Sequence, residues 1–366
     1  MSRRITIITW VGVFFLLGLS AFSVRVWSQA GQFTTVKNLN SNACQIYGGI
    51  LAPEDIVIDR NARVAYISSL DRKLVSSEES GASAQRGSIR MLDLSSYTPG
   101  AEINYKDVTP EKPRRFQPLG LSLFTEKDGA SWLFVVNQAD ANSQSVEIFR
   151  ITSNGLAYEK SVDLGAEVTF ANDVLAVGPD QFYVTDSSIS GPMSWLLNFA
   201  FQRTVSKVFY FNGEKLGPAA SDFVMANGIA MSKNGEELYV LDTSARALRF
   251  FKRNVADGAL EDSGVLFIGT GVDNIDVAED GALWMAAHPR LMDFAMYSAG
   301  LKPTSSSQVI RAVKDNAGGG EVRTVYLDLG ENISGSSVAV AFDKSFIIGS
   351  ARDNKMAICA RNTNGS

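Results

Sequence analysis

The chain has 366 residues, 45% of them apolar and 20% charged, with a formal net charge of −5. That length and apolar content suit one large or two ordinary globular domains and exclude a disordered chain. The acidic balance provides no basic field, which excludes nucleic acid as a partner, and it is compatible with holding cations.

The first element is an N-terminal hydrophobic helix. A short basic flank, MSRR, precedes ITIITWVGVFFLLGLSAF, from Ile5 to Phe22, which carries no charge. The run is long for the core of a signal peptide and just long enough to span a bilayer. It reads as an uncleaved signal anchor or as a cleaved secretory signal, with WSQA, ending at Ala30, a weak cleavage site. Residues 1–30 therefore stand apart from a folded part, 31–366. Arg3 and Arg4 keep the start cytoplasmic and export the rest, so the expected protein is membrane-anchored or secreted. Cys44 and Cys359 lie near the two ends of the exported part. In an oxidising compartment they pair as a disulfide; the alternative is two unrelated buried thiols. Asn332 and Asn364 are glycosylation acceptors if the route is a eukaryotic secretory one.

From about residue 45 onward the pattern is that of strands, and one short pattern recurs six times. The copies are PEDIVIDRNARVAYISS from Pro53, PLGLSLFTEKDGASWLFVVNQ from Pro118, FANDVLAVGPDQFYVTD from Phe170, MANGIAMSKNGEELYVLD from Met225, VDNIDVAEDGALWMAAH from Val272 and GSSVAVAFDKSFIIGS from Gly335. Each is a strand, a turn and a second strand rich in β-branched and aromatic residues, which is a β-hairpin. Six similar units spaced 46 to 65 residues apart predict an all-β, six-bladed β-propeller of four-stranded blades, each hairpin supplying the inner pair. A pair of β-sandwiches is the alternative; a closed ring better removes the exposed edges. The disulfide would then staple the ring shut.

Aligned on Ile56, Leu121, Val174, Ile229, Ile275 and Val338, the copies place Glu54, Leu119, Asn172, Asn227, Asp273 and Ser336 in one column. Equivalent positions of six blades face one spot on the axis, and five of these six carry oxygen. Hard oxygen donors without thiolate or imidazole select Ca²⁺ or Mg²⁺ over Zn²⁺, and several carboxylate and amide ligands from separate blades suit calcium. The next column contains Asp55 and Asp173, a second and deeper oxygen site. Taken singly, each is also an ordinary turn residue.

The runs EDIVID…AYISS, GLSLFTEKDGASWLFVVNQAD, NDVLAVGPDQFY, ANGIAMSKNGEELYV and VDNIDV…LWMAAHP, with the terminal cysteine, resemble the serum paraoxonase/arylesterase family from Cys44 to Cys359, and more distantly the gluconolactonases. The resemblance implies a propeller with two calcium ions in a central channel, a retained hydrophobic N-terminus, and hydrolysis of lactones and aryl esters. It matches Glu54, Asn172, Asn227, Asp273 and Asn274 to the catalytic calcium, and Asp55, Asp173 and the backbone carbonyl of Leu121 to the structural one. It leaves Ser336 out. The family's two channel histidines fall on Leu119 and Gln138, neither of which can act as a base.

The one histidine of the chain, His288, ends the second strand of its blade, and an antiparallel hairpin returns it to the rim of Asp273. It is the expected general base, since histidine changes charge near neutrality; a packed histidine before Pro289 is the plain alternative. Glu54 or Asp273 would otherwise serve as base or nucleophile. The expected enzyme is a calcium-dependent carboxylic ester hydrolase, arylesterase or lactonase, acting on small lipophilic substrates. The alternative is a non-catalytic or differently catalytic propeller stabilised by calcium. The apolar segment Ile189 to Val205, with Trp195, lies at the channel mouth as a lid, a membrane-contacting helix or a helix packed on the rim, and Met292 to Gly300 is expected to form another wall. The polar loop Arg72 to Ser88 reads as an exposed connection with no chemistry.

Overall fold

Five times along the chain, four consecutive strands pair into an antiparallel sheet, a sixth sheet joins strands from both ends of the fold, and the six sheets form a β-propeller. The computed structural model describes residues 2–75, 86–139, 144–189, 191–314 and 320–361, of which residues 2–9, 11, 12, 14, 74 and 75 are described by backbone alone. The acceptor Asn364 and most of the predicted loop after Arg72 lie outside the described residues. Blades 1 to 5 cover residues 53–107, 118–163, 171–223, 226–267 and 271–328. Blade 6 takes three strands from residues 336–360 and its outermost strand, Cys44–Gly48, from the other end of the chain. Separate sheets arranged in sequence order rule out the sandwich alternative.

The cores lie between blades. One apolar cluster fills each of the six interfaces, as where Leu119, Phe134 and Val146 of blade 2 meet Val174, Phe182 and Val184 of blade 3. This arrangement explains why inner strands such as Ala171–Ala176 are buried along their whole length: each face meets another blade. Cys44 pairs directly with Cys359 on adjacent strands of blade 6, and the two form a disulfide.

The recurring pattern has a structural cause at each end. Every inner strand opens with a bulge, in which two residues stand opposite one: Glu54 and Asp55 opposite Ser68, Asn172 and Asp173 opposite Thr185, Asn227 and Gly228 opposite Leu241, Asp273 and Asn274 opposite Ala286. A bulge bends its strand and re-aims side chains that simple alternation would send to opposite faces. The hydroxyls of Ser68 and Thr185 accept the N–H of Asp55 and Asp173 and hold the bulge in place. At the far end, Asp186 and Asp242 accept the N–H groups of Phe170 and of Val224 and Met225, tying down the turn that leads into the inner strand.

The register corrects the alignment in blade 6. Ser336 pairs with Ser350 and Ala339 with Ile348, so Ser337 and Val338 occupy the bulge. Ser337, rather than Ser336, is the counterpart of Glu54. SSVAVAF is buried throughout, so its alternation carries no phase from which to read register.

The second-to-third strand connections rise on the side where the inner strands begin. They carry helix α2 (Arg72–Val75), α3 (Pro192–Phe201) and α4 (Leu291–Ser298), following α1 (Ser2–Gln29) at the N-terminus. Val26 and Ala30 of the N-terminal segment pack with Phe199 and Ala200 of α3 and Leu291 of α4, and Phe22 meets the Phe201 ring at 5.2 Å. Among the described residues no helix is long and apolar enough to cross a membrane, and several side chains of the predicted Ile5–Phe22 segment lie outside that set.

Candidate metal centre

Two tiers of oxygen-bearing side chains line the axis where the inner strands begin. The upper tier is Glu54, Asn172, Asn227, Asp273 and Asn274, all buried. Their geometry follows from which atoms are already committed. Asn227 donates from Nδ2 to Asp273 Oδ1 at 2.7 Å and to Thr243 Oγ1 at 3.0 Å. Asn274 donates from Nδ2 to Glu54 Oε1 at 3.2 Å. With the amide nitrogens held, the amide oxygens point the other way. Glu54 Oε2 and the Oδ1 atoms of Asn172, Asn227 and Asn274 are buried without any hydrogen-bond partner. Buried oxygens left unpaired cost on the order of 1–3 kcal/mol each, so four of them from four blades form a site that asks for a cation. Among the described residues no three His, Cys, Asp or Glu side chains group to hold a metal, so the donor set depends on amide oxygens.

The lower tier is Asp55 and Asp173. Asp55 accepts the N–H of Ile56 at 2.8 Å and of Leu121, in the next blade, at 2.6 Å. Asp173 accepts those of Val174 at 2.7 Å and of Ile229, again one blade on, at 2.9 Å. Leu121 meets this carboxylate through its N–H, whereas the family resemblance assigns its carbonyl. Below them lies a cavity of about 260 Å³, lined by both aspartates and Asp276. Arg60 reaches across to Asp276 at 2.9 Å.

The glycines of the column are required by approach distance. A Cβ on Gly228 would stand 2.6 Å from the Asp273 carbonyl oxygen, and one on Gly120 2.5 Å from Asp173 Cα. They let neighbouring inner strands close on the axis.

Burial and mutual repulsion load the site with protons in the absence of a cation. Burial pushes Glu54 up to about 8, helped by the charge of Asp273. Burial pushes Asp55 up to about 7 against the two amides it accepts, and it raises Asp173 well above the ordinary range.

His288 lies in this ring, buried, with Nε2 2.9 Å from Asp273 Oδ2 and its plane stacked on Phe294 of α4 at 3.4 Å between centroids. Its Nδ1 has no partner. Thus the predicted upper-tier residues and His288 come together. The predicted pocket residues are placed differently. Leu119 is buried in the core between blades 2 and 3, Gln138 donates to the Ala171 carbonyl at 2.6 Å, and Trp195 stacks on Phe199 within the α1–α3–α4 cluster.

Arg72 corrects the reading of its loop as an exposed connection without chemistry, since it is half-buried with its Nε shut off from solvent. It donates from Nη2 to the Pro118 carbonyl at 3.0 Å, where blade 2 begins. Burial lowers its pKa, while Glu54 and Asp273 oppose that. The only signal available in the sequence is its place: it follows a second strand, and all such connections rise on the ligand face.

Residues 35–359 match the family model described as arylesterase. Rat serum paraoxonase/arylesterase 2 is 31% identical over 72% of this chain and 74% of its own. Human serum paraoxonase/arylesterase 1 is 31% identical with the same two coverages. Among solved structures, a luciferin-regenerating enzyme superposes with a TM-score of 0.53 at 12% identity, covering 87% of this chain and 96% of its own. Regucalcin from Agrobacterium tumefaciens, a calcium-binding protein, gives 0.51 at 12% identity, covering 88% and 93%. At that identity the structures speak for the fold alone.

Proposed function

The chain belongs to the arylesterase family, and on that premise we propose that it is a calcium-dependent hydrolase of carboxylic esters, aryl esters or lipophilic lactones, with its site in the upper tier of the channel. The observation that carries this reading is the set of four buried, unpartnered oxygens on Glu54, Asn172, Asn227 and Asn274. Hard, flexible, multi-blade donors fit calcium. Glu54, Asn172, Asn227, Asp273 and Asn274 would hold the catalytic ion; Asp55 and Asp173, with Leu121, would hold a second. Calcium held in the upper tier would supply a positive centre that polarises an ester carbonyl.

The remaining work falls to side chains. Asp273 fixes the His288 ring through Nε2, leaving Nδ1 as the nitrogen able to take a proton from water. Phe294, stacked on the ring, keeps it in that plane and shields it from bulk water. The disulfide supports an exported protein, and the apolar cluster of α1, α3 and α4 at the channel mouth supports lipophilic substrates and contact with a membrane surface. Hydrolysis of phenyl acetate and of a lipophilic lactone, measured with and without EDTA, tests the reading; turnover undiminished by chelation would sink it.

A second reading has one observation in its favour. Gln138 is tied to the Ala171 carbonyl and Leu119 is turned into a core, so neither position offers a proton-transfer group. A calcium-stabilised, non-catalytic propeller would show calcium-dependent melting and no turnover of either substrate.

A further inference from the structure

The column of oxygens is interrupted at one blade. Blade 2 contributes Leu119, which is packed away between blades, so on that side the ring presents no donor. Arg72 fills this gap. Its Nη2 is hydrogen-bonded to the carbonyl of Pro118, the residue before Leu119, which sets the guanidinium at the start of the blade 2 inner strand. Its Nε is shut off from solvent and has no partner, although the residue as a whole is only half-buried. A guanidinium stays charged at any ordinary pH and presents its donors in a flat fork matched to a carboxylate. An N–H shut off from solvent is costly unless something accepts from it.

The neighbouring charges define what that acceptor is. Glu54 and Asp273 act electrostatically on Arg72, yet neither is hydrogen-bonded to it: Glu54 Oε1 is taken by Asn274, its unpartnered Oε2 belongs to the oxygen set assigned to calcium, and Asp273 is engaged by Asn227 and His288. Arg72 is therefore attracted to the ring without being consumed by it. With Glu54 and Asp273 balanced by the calcium proposed above, Arg72 would leave one net positive charge, which favours a monoanion over a doubly charged phosphate.

Resting on the hydrolase reading above, we infer that Arg72 is a substrate-positioning residue that accepts a carboxylate, so that the substrates of this site are esters or lactones bearing a carboxylate group near the scissile bond. The idle Nε–H and a second guanidinium N–H would grip the two carboxylate oxygens, orienting the ester carbonyl toward the oxygen ring. The carbonyl oxygen of Pro118 accepts from Nη2 and so anchors one arm of the fork at the start of the blade 2 inner strand.

The test uses the full chain and a matched pair of lactones, 5-oxotetrahydrofuran-2-carboxylate and its neutral carboxamide. Wild type is expected to favour the carboxylate by about 10–100-fold in kcat/KM, the range of one charge-assisted bidentate contact. Arg72→Gln is expected to raise KM for the carboxylate by about that factor, with kcat and the carboxamide rates within about threefold, and Arg72→Lys to recover part of the loss. Equal effects on both lactones, or none on either, would overturn the inference. Calorimetry with pyroglutamate and its amide, which are not hydrolysed, separates the two readings. Pyroglutamate binding about 10-fold or more tighter than the amide, and lost in Arg72→Gln, would support the inference even if neither lactone turned over. Failure of wild type to prefer pyroglutamate would overturn it, even if neutral lactones were hydrolysed well. Unchanged melting of Arg72→Gln confirms that any loss is local.

Discussion

Asn227 donates its amide N–H to Asp273 across the boundary between blades 4 and 5, and this one bond at 2.7 Å decides where the amide oxygen points. The nitrogen is held by Asp273 and Thr243, so Oδ1 is left facing the axis with nothing to accept from. Asn227→Ala removes the oxygen and releases Asp273 from its partner. Calcium affinity is expected to fall about 10–100-fold, the usual cost of a lost ligand contact or its orienting partner. Calcium titration followed by calorimetry or melting reads this directly; an affinity within twofold of wild type would exclude Asn227 as a ligand.

Removing the metal should invert the ordinary pH profile of stability. Glu54 at about 8 and Asp55 at about 7 hold protons in the folded state that the unfolded chain releases near pH 4. Their contribution is fully present below pH ~4, is lost as pH rises through about 7 to 8, and is flat above that. In EDTA the melting temperature is therefore expected to fall between pH 5 and pH 8. With saturating calcium, which takes the place of those protons, the fall should disappear, and calcium affinity should rise across the same window. A metal-free protein more stable at pH 8 than at pH 5 would refute the assignment.

His288→Gln tests the proton-transfer role apart from the metal. The ring touches Asp273 through Nε2 only, so glutamine retains a donor for that carboxylate while removing the base at Nδ1. A drop in kcat of about 10²-fold or more is expected, with calcium affinity within a few-fold of wild type. Undiminished turnover would exclude His288.

Gly228→Ala replaces no ligand and should still damage the site. The new methyl group would lie 2.6 Å from the Asp273 carbonyl oxygen, backbone that has nowhere to go without moving Asn274. Both melting temperature and calcium affinity are expected to drop, with a stability loss of about 1–3 kcal/mol from overpacking. Gly217, with open space around it, is the control position at which alanine should leave calcium affinity unchanged.

Much of the site could be read because repetition supplies its own alignment. Asn172 and Asn227 stand at the same step of two copies, each preceded by an alanine and each in a hairpin whose second strand ends in aspartate, Asp186 or Asp242. Where such markers are missing, so is the reading: SSVAVAF opens with two serines, and Ser337 could not be told from Ser336. The placement of His288 followed from antiparallel pairing alone, which returns Gly271 and His288 to the same level. Two features lay beyond sequence. The first is the bulge, which turns consecutive residues such as Glu54 and Asp55 into two tiers and depends on pairing rather than on composition. The second is Arg72, whose meaning depends on which carbonyl it meets 46 residues away.

Closure of blade 6 by Cys44–Gly48 also constrains when the protein becomes itself. The strand Cys44–Gly48 has to wait for Lys355–Ala360, with Cys359 made 315 residues after Cys44, so the ring is completed only once blade 6 has been delivered. Contacts so distant in sequence carry a large loop-closure entropy and form late. Individual blades can be built as they emerge, but the last interblade cores cannot, and a ribosome-bound or half-translocated chain displays unpaired strand edges. The strand Cys44–Gly48 is thus unpaired until blade 6 arrives, and a circular permutant that begins at blade 1 and carries the Cys44 strand after Ala360 would build every blade from consecutive strands and remove that early unpaired edge.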